Sequence, residues 1–257
     1  MIISHRRRFI FIKTRKTAGS SLEIALSRFC DPGDVITPLG ESLGEESLRA
    51  EEGGQPPVNW EKSIWQYRTF REIRRRIKYG RKASRFTPHA TVREVRPFVG
   101  EAIWNAYLSF SIERNPWDRA MSRYWWQKYR MERRGRSIPE LGEYLRWLER
   151  SKPEWLSNWG HYADGDRVAV DKIIFYEDLA EGLQNLTDAL HFPEPVTMPA
   201  RRAKSGFRHD RRHYTEVLGD QERRLVDRVC AREIELFGYR FHPDEGGPQG
   251  VFDTRAA

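Results

Sequence analysis

Phe9-Ile10-Phe11-Ile12-Lys13-Thr14-Arg15-Lys16-Thr17-Ala18-Gly19-Ser20-Ser21-Leu22-Glu23 is the stretch that decides the fold. Phe9 to Lys13 is β-rich and apolar enough for a strand buried on both faces, as in a parallel sheet. Small and basic residues then interrupt the run. Apolar residues return at helical spacing, Leu22, Ala25, Leu26 and Phe29, until Asp31-Pro32-Gly33 ends the helix. Ser20 or Ser21 is the expected cap. A strand, a tight loop and a helix N-terminus in that order hold a phosphate, because unpaired backbone N–H groups converge there. Lys16 is placed to meet phosphate oxygens, Gly19 permits close backbone approach, and Ser20 and Ser21 add donors. The loop lacks Gly-x-x-x-x-Gly-Lys-[Ser/Thr], so it is not a Walker A loop.

Composition bounds what surrounds this loop. The chain has 257 residues, enough for one large α/β domain. Aromatic residues make up 12%, including nine Trp, too many for a disordered chain. The net charge of +8 points to an anionic partner. Two cysteines, Cys30 and Cys230, exclude a disulfide framework and read as buried thiols. No apolar run reaches membrane-spanning length and no signal-type segment is seen, which suggests a cytoplasmic protein. Peripheral contact with a membrane remains open to so basic a chain.

Further along, Asp34 to Leu39 suggests a short strand, and residues 40–59 a surface insertion with a short helix. Trp60 to Tyr79 reads as one helix. Ile64, Tyr67, Ile73 and Ile77 share a stripe, and the basic stretch 68–85 is either a solvated face or a wall of a phosphate site. Thr91 with Glu94 forms a capping box. Tyr107 to Ile112 is a second strand, ending at Glu113-Arg114-Asn115-Pro116-Trp117-Asp118-Arg119. There Asn115 caps and Pro116 starts the next helix. Ile138 to Glu149 is a helix, 152–167 an aromatic irregular segment, Val170 to Tyr176 a third strand. Helices follow at Leu179 to Leu190 and Asp220 to Phe237, and the tail after about 243 should fray. Strands alternating with helices predict a parallel α/β sheet in one domain, with insertions at about 40–86 and 133–168.

A second anion site lies at the end of the second strand. Arg114 suits bidentate phosphate binding, and Ser122, two helical turns on, offers a hydroxyl. Lys16-Thr17-Ala18-Gly19-Ser20-Ser21-Leu22 resembles the 5′-phosphosulfate loop of the sulfotransferases. Arg114-Asn115-Pro116-Trp117-Asp118-Arg119, with Ser122 and Tyr124, is similar to the same superfamily's 3′-phosphate motif. Phe175-Tyr176-Glu177-Asp178-Leu179 and Phe237-Gly238-Tyr239 resemble its late strand and closing helix. The likeness is greatest to the carbohydrate-type sulfotransferase family 2. Arg15 departs from it, standing where that family usually has proline.

The resemblance implies a three-layer α/β/α fold, P-loop NTPase-like, with a central parallel sheet and helical insertions. It implies the donor 3′-phosphoadenosine 5′-phosphosulfate (PAPS), the product 3′,5′-ADP and no metal. The acceptor would be a hydroxyl on a carbohydrate or glycolipid, with no nucleic acid involved. The binding residues implied are Arg15, Lys16, Thr17, Ala18, Gly19, Ser20, Ser21, Arg114 and Ser122, with Lys204 or Arg202 near the 3′-phosphate. Lys16 would meet charge on the leaving oxygen. His89 is the expected base, between the two motifs, with His161 as the alternative. Glu177 and Asp178 are read as capping residues, and Trp155, Trp159 and Tyr162 as surfaces for sugar rings. The rival reading is a kinase-like P-loop enzyme, which would depend on Mg²⁺.

Overall fold

In the computed structural model, which describes residues 1–39, 44–80, 82–201 and 206–255, the decisive stretch is a strand, a loop and a helix. In chain order come β1 (Ile2–Ser4), β2 (Phe9–Ile12), helix α1 (Gly19–Ser27), β3 (Val35–Ile36), α2 (Glu45–Glu51) and α3 (Phe70–Tyr79). Then follow α4 (Val92–Val99), α5 (Glu101–Ala106), β4 (Leu108–Glu113), α6 (Pro116–Glu132), α7 (Leu141–Ser151) and α8 (Trp159–Tyr162). The last elements are β5 (Ala163–Asp164), β6 (Arg167–Val168), β7 (Lys172–Phe175), α9 (Leu179–Ala189), α10 (Tyr214–Val217), α11 (Asp220–Val229), α12 (Ala231–Phe237) and β8 (Val251–Asp253).

The main sheet has the order β3-β1-β2-β4-β7-β8. Three of the four strands expected from the sequence form its parallel centre, β2 pairing with β4 and β4 with β7, and the short one expected in Asp34 to Leu39 is β3, paired with β1. β1 and β8 run against their neighbours. Period-two alternation sends Phe9 and Phe11 to one face of β2 and Ile10 and Ile12 to the other. On the first face α1 and α9 deliver Leu22, Leu26, Leu183 and Leu186. On the second, α6, α7 and α11 deliver Met121, Leu145 and Val226. Helices therefore cover both faces of a sheet that is mostly parallel, the three-layer arrangement expected. Among the described residues no helix is long and apolar enough to cross a membrane.

Four local readings need correction. Ser20 and Ser21 lie inside the first turn of α1; Ala18 is the cap, in a left-handed conformation. The stretch from Trp60 to Tyr79 is not one helix. A single 3₁₀ turn, Ile64–Gln66, precedes α3, which begins at a capping box of Thr69 and Glu72. The closing helix breaks at Cys230 into α11 and α12. The tail does not simply fray, since β8 pairs with β7, Ile173 opposite Phe252. The predicted caps at Thr91 and Asn115 are present, and Asn115 Oδ1 accepts from the N–H groups of Trp117 and Asp118 at 3.1 and 3.2 Å. Cys30 and Cys230 are buried free thiols, and burial pushes both up in pKa.

Candidate active site

The loop between β2 and α1 is bent by two non-glycine residues with positive φ, Lys16 at 63° and Ala18 at 59°. Each such residue costs on the order of 1–2 kcal/mol. Left-handed residues in a turn curl the backbone, and strain of this kind concentrates at functional sites. Thr14 and Thr17 brace the loop from within through a 2.9 Å hydroxyl contact, and the Thr14 hydroxyl also donates to the Ile112 carbonyl. Asn158 clamps the loop from outside: Arg15 N–H donates to Oδ1 at 3.0 Å, and Nδ2 donates back to the Arg15 carbonyl at 3.1 Å. Gly19 is required here, though for a different contact from the one expected. A Cβ would sit 2.8 Å from Lys13 Cγ, so the loop packs on the stem of Lys13. The Lys13 ammonium lies beneath it, fully buried and 2.5 Å from Glu23 Oε2, with Arg49 Nη2 3.3 Å from Oε1. Burial opposes ionisation of Glu23, but Lys13, the Met1 amino group and Arg49 together outweigh it and hold its pKa low. Lys13 is thus structural. Lys16 is the loop lysine that lines the cavity, its ammonium 4.8 Å from the Phe207 ring and 5.2 Å from that of Trp126. The Ser21 N–H is taken up inside α1 by the Ala18 carbonyl at 2.9 Å.

Across this cavity stands Arg114, at the end of β4. Its Nε donates to Asp118 Oδ2 at 2.9 Å, Nη2 also pairs with Asp118, and Nη1 donates to the Lys16 carbonyl at 3.2 Å. The guanidinium stacks 4.2 Å from the Tyr176 ring. Arg208 Nη1 reaches the other Asp118 oxygen at 3.2 Å, so the three groups carry a net positive charge. Of the five Arg114 N–H bonds, one on each terminal nitrogen is left by these contacts. Residues Thr14 to Ser21, His89, Arg114, Ser122 and Arg123 all line this one cavity, of about 500 Å³. The predicted residues from two distant motifs therefore meet. Lys204 and Arg202 lie outside the described residues.

His89 lines this cavity and a second one, of about 580 Å³, with Arg15, Trp159, His161, Arg228 and Arg232. Its Nδ1 lies 3.0 Å from the Lys13 carbonyl oxygen. A carbonyl only accepts, so Nδ1 carries the proton and Nε2 is the basic nitrogen. Burial, then the charges of Lys13 and Arg15 and the His161 ring, push the His89 pKa well below its usual value. The ring is therefore neutral near pH 7. His161 lies 6.0 Å away, centroid to centroid, and burial lowers it to about 4. Its Nδ1 has no hydrogen-bond partner among the described residues.

Other expectations fare differently. Glu177 Oε1 accepts from Asn115 N–H at 2.6 Å and Asp178 Oδ2 from Gly250 N–H at 3.0 Å, both structural uses. Tyr162 is no sugar platform. It is fully buried, its hydroxyl donating to Glu113 Oε2 at 2.8 Å. Trp159 does line the second cavity, while Trp155 packs 4.1 Å from the Arg123 guanidinium. The basic side chains of 68–85 line neither cavity among the described residues. Sequence reasoning missed Asp118, Tyr176, Arg208 and Asn158. Asp118 was within reach, four residues after Arg114 on a helix start; Asn158 carries no local signal.

A strained loop at a helix N-terminus, an arginine cluster opposite it and a histidine on the border come together at one cavity of a three-layer α/β fold. The Sulfotransferase family model matches residues 1–240, and the chain belongs to that family as a family 2 member. Sulfuryl transfer is the general chemistry of the family. An uncharacterized protein of Archaeoglobus fulgidus is 32% identical over 108 residues, covering 40% of this chain and 82% of that protein. No solved structure matches.

Proposed function

We propose that the chain moves a sulfuryl group from PAPS to a hydroxyl of a carbohydrate or glycolipid. The first cavity takes the donor and the second takes the acceptor. The observation that carries the reading is His89: a neutral imidazole with its proton fixed on Nδ1, lining both cavities. Its Nε2 removes the acceptor proton as the oxygen–sulfur bond forms. The bond from sulfur to the bridging phosphate oxygen breaks in line, and that oxygen keeps the electron pair. Lys16 meets the charge that develops there. The amides of Thr17, Ala18, Gly19 and Ser20, with the hydroxyls of Ser20 and Ser21, hold the 5′-phosphate. Arg114, Ser122 and Lys204 hold the 3′-phosphate. Arg15 adds its charge at the border of the two cavities. Two anion sites suit a donor with phosphate at both ends of its ribose, which a kinase-like reading leaves unexplained.

Calorimetry with 3′,5′-ADP tests the donor site, and absence of binding at high protein concentration overturns it. Screening glycans and glycolipids with labelled PAPS then identifies the acceptor. Strict Mg²⁺ dependence with ATP as donor would return the kinase reading.

A further inference from the structure

The segment between Trp60 and Phe86 leaves the body of the protein and returns to it. Lys62 N–H bonds the Ala83 carbonyl and Arg85 N–H the Trp60 carbonyl, both at 2.8 Å, so the excursion is pinched shut at its base. Phe86 anchors it in the core, and Arg85 stacks 4.6 Å from the Phe98 ring. Beyond the pinch, no residue of α3 is buried.

What α3 exposes is unusual for a surface helix. Phe70, Ile73 and Ile77 fall on one side at helical spacing, and Phe70 and Ile77 are each 80% exposed. Trp65, just before the helix, is 89% exposed, with Ile64 beside it at 56%. Around the remaining circumference stand Arg71, Arg74, Arg75, Arg76 and Lys78. Arg71, Arg74 and Arg75 make no ion pair among the described residues. The helix's own acid, Glu72, is already held by Lys62 at 2.6 Å. Hydrophobic residues on one side and uncompensated cations on the other form the pattern of a helix lying in a lipid–water interface.

We infer that this lobe docks the protein on the surface of an anionic phospholipid bilayer. Phe70, Ile73, Ile77 and Trp65 enter the headgroup boundary while Arg71, Arg74 and Arg75 meet lipid phosphates. Charge complementarity selects the bilayer: each basic residue near an anionic surface adds attraction, and salt screens it. A polyanionic glycan would satisfy the arginines but leave the aliphatic side exposed to water. Trp65 precedes the helix and Tyr79 is its last residue, as aromatic residues stand where one end of a side chain is apolar and the other wet.

The test is co-sedimentation of the full chain with extruded vesicles of phosphatidylcholine alone or mixed with phosphatidylserine. The wild-type chain binds the mixed vesicles, and raising the salt weakens binding. Ile77→Glu and the pair Arg74→Glu, Arg75→Glu each lower binding about tenfold or more. Binding of 3′,5′-ADP stays unchanged in the same variants, which reports folding and keeps this test separate from that of the donor site. No vesicle binding, or binding untouched by Ile77→Glu, overturns the inference. So does self-association in sedimentation velocity that Ile77→Glu abolishes, which would give the face to a second copy. Binding to heparin without binding to vesicles gives it to a polyanion and also overturns it.

Discussion

The two cavities that share His89 are built in opposite ways. The first is made chiefly of strand ends: the turns after β2, β4 and β7 and the helices that follow them. Parallel strands put such ends side by side, so a site there needs little more than the sheet. The second is drawn from Arg15, His89, the 153–161 segment and the 228–233 segment around the break between α11 and α12. One is set by topology, the other by packing of distant pieces. Substitutions should separate them, with the largest effects where both meet.

His89→Ala should have the largest effect, lowering kcat by about 10²- to 10⁴-fold. Binding of 3′,5′-ADP should change little, and an unchanged kcat would remove His89 from the chemistry. Its proton must be off for the base to act. Because the pKa is depressed, the acid limb of kcat/KM should lie below pH 6.5 and vanish in the variant. Lys16→Ala should cost about 10²- to 10³-fold in kcat, again with modest loss of nucleotide affinity. Full rate without Lys16 would overturn its assignment. Arg114→Ala should instead weaken 3′,5′-ADP binding itself by about 10- to 100-fold, the usual range for hydrogen bonds to a charged group. If binding survives, the cluster with Asp118 and Arg208 is structural.

The second cavity should be the more sensitive to acid. His161 is buried and neutral, with a folded pKa of about 4 against 6.5 for an exposed imidazole. Between those values the unfolded chain binds more protons than the folded one, so stability falls as pH drops from 6.5 and levels below 4. The full effect is about 3 kcal/mol. Denaturant unfolding of His161→Phe should show a flatter loss over that window; an identical pH dependence would refute the burial argument.

The same contrast explains what was legible in the sequence. Phe9 to Ile12, the glycine–serine turn and Arg114-Asn115-Pro116 are local signals, and each predicts its own neighbourhood without knowledge of the rest. Asn158 and Glu233 act only across the fold. Glu233 Oε1 accepts from the Ser157 hydroxyl at 2.7 Å and from Asn158 N–H at 3.0 Å, an arrangement that depends on the break at Cys230. Apolar spacing runs through that break unaltered, so periodicity could not reveal it. β8 was hidden by Gly246-Gly247-Pro248 just ahead of it, and its pairing is provided by the edge of β7. The division of 60–79 was readable, in contrast, from Thr69 and Glu72.

Arg15 allows the finest test of the border, because its backbone and its side chain can be separated. Its N–H holds Asn158, and its guanidinium lies between the cavities, where burial and the Arg123 charge both work against it. Arg15→Ala removes only the guanidinium. It should weaken 3′,5′-ADP by no more than about fivefold, since the loss of a partly exposed charge is small. Arg15→Pro removes the N–H as well. It should show the same nucleotide loss and a further stability cost of about 1 kcal/mol, the value of one hydrogen bond. Unchanged affinity in the alanine variant would assign the guanidinium to the second cavity. Equal stability of the two variants would mean that the Asn158 clamp holds the loop through the Arg15 carbonyl alone.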